Sequence, residues 1–194
     1  PRAPARVAAE LSTLKMADTE FAVALSATPA DPDTDPHLVV GTHAVSESGI
    51  DRAVFTIAPN VGETLKPLVA IASGGELSRV VLALKSILAA SESVATIVFD
   101  EVDAGIGGAV AEVVGRKLAT LARHHQVICI THLPQIAKFG DQHFKISKHV
   151  ASGRTRTAIT LLSADDRTRE IARMLGGEKI TRVTLEHARE LLKK

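Results

Sequence analysis

Apolar residues recur along this chain in two rhythms, one of 3.6 residues and one of two. Val7, Ala8, Leu11 and Leu14 fall at helical spacing and predict a helix over residues 4–17, read as the end of a longer one. Residues 21–25 alternate as a short strand does, and residues 52–57 form another such run centred on Val54 and Phe55. Between them, residues 27–36 carry three prolines and three aspartates, which predicts a surface loop or a disordered excursion. Residues 39–47 are ambiguous, and residues 20–58 together read as an antiparallel patch.

The rest of the chain is more strongly patterned. Leu77, Val80, Val81, Leu84, Ile87 and Leu88 predict a helix over residues 76–90. A β-branched run at 94–99, a helical pattern at 110–122, a buried-strand pattern at 126–130 and a short helix at 133–139, with Pro134 in its first turn, then follow. Strand, helix, strand, helix implies a parallel sheet with right-handed crossovers. Residues 143–148 and 156–161 read as a hairpin about the turn Ser152–Gly153. Two helices, 165–175 and 181–192, divided by Gly176 and Gly177, close the pattern, and no internal repeat is evident.

Composition narrows what such a chain can do. At 194 residues it can bury one substantial core with a small appended lobe, and with 45% apolar but only 3% aromatic residues that core is aliphatic. The aromatic shortage argues against stacking single-stranded bases on exposed rings. Lys and Arg number 23 against 22 Asp and Glu, so nothing in the overall charge demands a nucleic acid. The sole cysteine, Cys129, lies in the apolar QVICI and reads as a buried small hydrophobe under reducing conditions. No apolar run reaches transmembrane length and the opening PRAPARVAAE lacks a signal-peptide core, so the expectation is a soluble, intracellular protein.

The candidate chemistry sits at the strand ends. TIVFDE, residues 96–101, delivers Asp100 and Glu101 to the carboxyl end of an apolar strand, where α/β proteins usually hold their chemistry. Two ionised carboxylates are costly there unless they meet solvent, metal or donors. If strand geometry continues through them they point to opposite sides, so Asp100 can hold a hydrated divalent cation while Glu101 polarises a water. The bland alternative is a solvated pair in a loop. DAGIGG follows at 103–108, where Asp103 can equally be a turn residue bonding its own backbone. His132 ends the next strand in ICITH, placed to orient a water or touch a phosphoryl group, or simply to cap. ASGGELSR, residues 72–79, offers Ser73, Gly74 and Gly75 before a strong helix: a phosphate-binding amide cluster, or an ordinary serine cap with a tight turn. His124 and His125 read as a solvated helix end. Arg154 and Arg156 read as an exposed hairpin face, with DNA phosphates as the alternative contact. No GxxxxGK[ST] phosphate cradle occurs in the 194 residues.

Taken in order, ASGGELSR, TIVFDEVDAG and ICITH resemble the signature motif, Walker B strand, D-loop and switch histidine of the ABC-type ATPases, with Ala72 where leucine is common. FDEVDAGIGG, THLPQIAKFGDQHFKISK and ARMLGG resemble more narrowly the carboxyl-terminal half of the RecN-like family, strongly over residues 60–192. That resemblance implies an α/β fold, the carboxyl-terminal half of an ABC/SMC-type P-loop ATPase head, with a parallel-sheet core and an adjoining signature and helical region. It divides the chain into the end of a coiled-coil or lobe helix (1–20), a strand and loop patch (21–70), and the signature, Walker B, D-loop and switch region (71–194).

The implied roles are Asp100 for magnesium through water, Glu101 as catalytic base and His132 as switch residue. Ser73, Gly74 and Gly75 would approach the γ-phosphate of an ATP held by an opposing head, with Asp103 helping communication across that dimer. The implied protein hydrolyses ATP with Mg²⁺ while acting on broken DNA in the bacterial cytoplasm, at the nucleoid. Its partners would be the amino-terminal half of the same head, a second copy, and DNA, with no membrane. The chain by itself would be inactive, since the Walker A lysine and Q-loop glutamine precede the coiled coil in this family. Another SMC-like chromosome-maintenance ATPase and a nonhydrolytic head-dimerisation module stay open; an ABC transporter fits less well.

Overall fold

The computed structural model describes residues 2–71, 73–89, 94–151 and 154–193. Ala72, Ala90 and the expected turn at Ser152–Gly153 lie outside the described residues. The chain forms two compact units, residues 1–83 and 84–194.

The first unit opens with α1 (Arg2–Ser12). It is shorter than the periodicity predicts because the hydroxyls of Ser12 and Thr13 donate to the carbonyls of Ala9 and Glu10, and Lys15 takes a left-handed φ of 62°. Leu14, which continues the apolar spacing, is buried by that turn, as is Met16. Next come β1 (Glu20–Ala27), a short ladder of β2 (Val39–Val40) and β3 (His43–Ala44), then β4 (Asp51–Ala58) and β5 (Lys66–Pro67). β1, β4 and β5 form an antiparallel sheet in that order, with Phe21 opposite Ile57. Both of those side chains are buried, and the Phe21 and Phe55 rings sit 5.7 Å apart between centroids. The Pro and Asp segment is ordered by its own side chains: Asp31 accepts from the backbone of Asp33 and from Thr34, and Asp35 caps a 3₁₀ turn at Pro36–Leu38. The ambiguous stretch thus resolves into a minimal hairpin, and β5 went unseen because two residues carry no period. α2 (Gly74–Leu88) follows, and the boundary between the units falls within it.

In the second unit, β6 (Thr96–Phe99) and β7 (Gln126–Cys129) pair in parallel, with Ile97 opposite Val127 and Phe99 opposite Cys129. Between them in sequence runs α3 (Gly108–Leu121), whose buried row is Ala111, Val114, Gly115, Leu118 and Leu121. Gly115 is required by close approach: a Cβ there would lie 2.4 Å from the Phe139 ring. α4 (Pro134–Ala137) has Pro134 in its first turn, as expected. The strand pair has one covered and one open face. Ile97 and Phe99 are buried, whereas Val98 is 60% exposed and Ile128 and Ile130 are each 48% exposed.

β8 (Phe144–Ala151) and β9 (Arg154–Leu161) form a separate antiparallel ribbon. α5 (Ala164–Gly176) and α6 (Arg182–Leu192) pack through Ile171, Ala172 and Ala188. Ser163 caps α5, Thr181 and Thr184 form a reciprocal cap on α6, and Gly177 ends α5 at φ 79°. No described helix is long and apolar enough to cross a membrane.

One buried carboxylate joins the ribbon to the helical pair. Glu170 accepts from Lys145 on β8 at 2.6 Å and from Arg173 at 2.6 and 3.0 Å. The hydrogen bond from Arg173 comes first among the causes that hold its carboxyl down to about 2, with burial opposing and Lys145 assisting. A depressed carboxyl contributes stability that is present above its unfolded value and is lost as the pH falls toward the folded one, so this contribution disappears between pH 4.5 and about 2. Both cations are two-fifths exposed, which discounts the contribution to about 1–3 kcal/mol. Urea denaturation of the wild type and Glu170→Gln should therefore differ by about that much at pH 7, and the gap should narrow as the pH falls below 4.5 and close by about pH 2. An equal gap at both pH values would contradict the assignment.

Candidate functional site

The carboxyl ends of β6 and β7 gather most of the expected residues. The ladder runs one bond past the strands, Ile130 N–H donating to the Phe99 carbonyl at 2.9 Å, so Asp100 leaves one strand beside the segment that carries Thr131 and His132. Extended geometry then stops. Glu101 has φ 56°, a left-handed conformation that costs a residue with a Cβ about 1–2 kcal/mol. Asp100 Oδ1 accepts from the Glu101 N–H at 2.9 Å, and the Glu101 carbonyl accepts from Ala104 N–H at 3.0 Å, which together hold the turn.

This corrects the expectation that the two acidic side chains alternate as along a strand. The reversal at Glu101 leaves Asp100 and Glu101 both exposed and turns Val102 and Asp103 inward. Local strain of this kind concentrates where a side chain must be aimed.

Asp103 is 4% exposed. Its Oδ2 accepts the Thr131 hydroxyl at 2.6 Å and the His132 N–H at 2.9 Å, and lies 3.0 Å from His132 Nδ1. Thr131 Oγ1 in turn accepts from Leu133 N–H at 3.1 Å. Two donors converging on one oxygen, with the His132 ring beside it, offset the desolvation of this carboxylate. The His132 ring itself is 74% exposed. Thr131 was not singled out from sequence, and its position immediately before His132 was the available signal.

Neighbouring groups are quieter. Cys129 is half-buried rather than fully buried; burial first, then Asp103 and Asp100, push its thiol up to about 12, so it stays protonated and unreactive. His125 is a correction: it is buried, and its Nδ1 donates to the Val94 carbonyl at 2.6 Å. His124 is exposed as expected, as are Arg154 and Arg156.

In the first unit, the Ser73 hydroxyl accepts from Glu76 N–H at 3.4 Å and the Ser73 carbonyl from Leu77 N–H at 3.1 Å, the pattern of a residue heading a helix. Ser73 and Gly74 are exposed and Gly75 is buried. Amides at such a helix start favour an anion.

Among the described residues no three His, Cys, Asp or Glu side chains cluster as a protein-built metal cage. An exposed carboxylate such as Asp100 does suit Mg²⁺, which keeps several waters and takes its other ligands from substrate phosphates.

The architecture is that of an ABC/SMC-type ATPase head. The chain superposes on the Smc head domain with a coiled coil and joint derived from Pyrococcus yayanosii with a TM-score of 0.55, at 20% identity, over 91% of this chain and 29% of that one. Over nearly all its length it is homologous to the bacterial DNA repair proteins RecN. It is 43% identical over 185 residues to RecN of Bacillus subtilis strain 168, covering 95% of this chain and 32% of that protein. It is also 45% identical over 193 residues to RecN of Mycobacterium leprae, covering 96% and 32% respectively. The chain thus spans about a third of the length of these relatives. No protein-family model matches it.

Proposed function

We propose that this chain is the carboxyl-terminal part of a DNA double-strand-break repair ATPase, completing its ATP site with the amino-terminal half of the same head and with a second, opposing head. The observation that carries the reading is the end of β6, where a strained turn exposes Asp100 and Glu101 together beside the tethered His132, in a chain homologous to RecN.

ATP is the substrate. Glu101 is the general base: it takes a proton from the water whose oxygen attacks the γ-phosphorus, as the bond from that phosphorus to the β–γ bridging oxygen breaks. Asp100 would hold Mg²⁺ through water, and that ion when bound supplies charge stabilisation at the phosphate oxygens. His132 presents its ring to the transferred phosphoryl group. Ser73, Gly74 and Gly75 meet the γ-phosphate of the nucleotide on the opposing head, where the amides at the start of α2 complement its charge. DNA is the partner of the intact protein, which works in the cytoplasm at the nucleoid. Alone, the chain turns over no ATP, for want of a phosphate cradle.

A second reading, a nonhydrolytic head-dimerisation module, draws on the open apolar face of Val98, Ile128 and Ile130, which would suit any packing partner. Mixing the chain with the separately produced amino-terminal part of the same head decides between them. Co-purification with restored ATP turnover is expected; binding without turnover would favour the module, and turnover by the chain alone would refute the split site.

A further inference from the structure

The Asp103 carboxylate is turned toward its own unit. It lies in a buried position at the end of the Glu101 turn, and one of its oxygens accepts the backbone N–H of His132 and the hydroxyl of the preceding Thr131 and lies 3.0 Å from Nδ1 of the His132 ring. A carboxylate 3.0 Å from Nδ1 favours the proton on that nitrogen by charge attraction, which leaves Nε2 as the ring atom open to an outside group. The same carboxylate clamps the peptide that carries the ring, so rotation about the side chain and displacement of the loop are restrained together. A solvent-exposed histidine would otherwise sample several rotamers and both neutral tautomers.

We propose that Asp103 is a positioning residue for ATP hydrolysis, acting through His132 of its own head by fixing the tautomer and direction of the imidazole. The inference rests on the reading of His132 as a group that serves the transferred phosphate. It adds a role for Asp103 within one head, apart from any contact across a dimer. It also explains why the Glu101 turn matters twice, since the reversal that exposes Glu101 is the one that sends Asp103 inward.

The test is a double-mutant cycle in the full-length protein, measuring kcat and KM for ATP with Mg²⁺ present. Asp103→Asn is the primary variant, because the amide keeps the size and one acceptor oxygen and removes the charge behind the ring. Asp103→Ala is the second, and thermal melting and ATP binding accompany each. His132→Ala should lower kcat on the order of 10²-fold. Asp103→Asn should lower it at least about tenfold, with KM within about threefold of the wild type, and Asp103→Ala should approach the His132→Ala rate. Adding Asp103→Asn to His132→Ala should then cost less than about a further twofold, because the residue through which it acts is gone.

Wild-type kcat in Asp103→Asn would overturn the proposal, as would losses that multiply in the double variant or that track weakened ATP binding. If His132→Ala itself hydrolyses ATP normally, the assignment of His132 falls and the proposal with it. A slow His132→Ala beside a normal Asp103→Asn sinks this inference alone. Should Asp103→Ala fail to fold, the Asp103→Asn arm still decides.

Discussion

Glu101→Gln in the full-length protein is expected to slow ATP hydrolysis by about 10²–10⁴-fold while leaving ATP-dependent association of heads intact. The amide matches the carboxylate in shape but cannot accept a proton from the attacking water, and the size of the loss is the usual worth of a positioned general base, about 3–5 kcal/mol. The backbone makes the substitution clean. The turn is held by the Glu101 N–H on Asp100 and the Glu101 carbonyl on Ala104, and neither bond involves the Glu101 side chain. A companion variant sharpens the point. Glu101→Gly should lose as much turnover yet melt no lower, because glycine adopts a φ of 56° without the steric cost that glutamate bears. Phosphate-release kinetics and a melting curve read both. Normal turnover in Glu101→Gln would remove Glu101 from the catalytic role.

Ser73→Arg should fail at a different step. Ser73 is exposed, and its structural contribution is an acceptor for Glu76 N–H at 3.4 Å, so losing it costs the head no more than about 1–2 kcal/mol of stability. What changes is the space before α2, now filled by a long cation where the proposed opposing nucleotide must fit. The arginine side chain would put its bulk between the helix amides and the phosphate, a steric obstacle that its charge does not remove. The variant should bind ATP at its own site with near wild-type affinity, remain a monomer in ATP on size-exclusion chromatography, and hydrolyse at a small fraction of the wild-type rate. Unchanged ATP-dependent dimerisation in this variant would undermine the contact across heads. Together the two variants separate chemistry from assembly: Glu101→Gln associates without turnover, whereas Ser73→Arg does neither.

Much of this protein was legible in its residue pattern because the patterns there have a direct local cause. The helical spacing from Leu77 to Leu88 gave α2, and the β-branched run through Val98 and the apolar run through Ile128 gave β6 and β7, including their parallel sense. Pro134 marked the start of α4, and the carboxylates were identified as costly groups at a strand end. The RecN resemblance read from those motifs agrees with the homology over nearly the whole chain.

Other features had no local signature. Periodicity carried α1 past Ser12, since a turn can bury Leu14 as well as a helix can, and burial is all that an apolar rhythm reports. His125 sits beside polar residues in sequence but bonds Val94, 31 positions away, and only the parallel pairing of the strands brings the two together. The adjacency of Asp100 and Glu101 was visible, but the left-handed φ at Glu101 was not, because glutamate has no preference for that conformation; the surrounding turn imposes it. The same reversal turned Asp103 from a surface turn residue into the buried acceptor of Thr131 and His132. Sequence alone determined which elements form and which residue types can do chemistry, since these follow from side-chain period and charge. Tertiary structure decided where each carboxylate points and which residue it holds, because those depend on one backbone dihedral and on contacts nearly thirty residues apart.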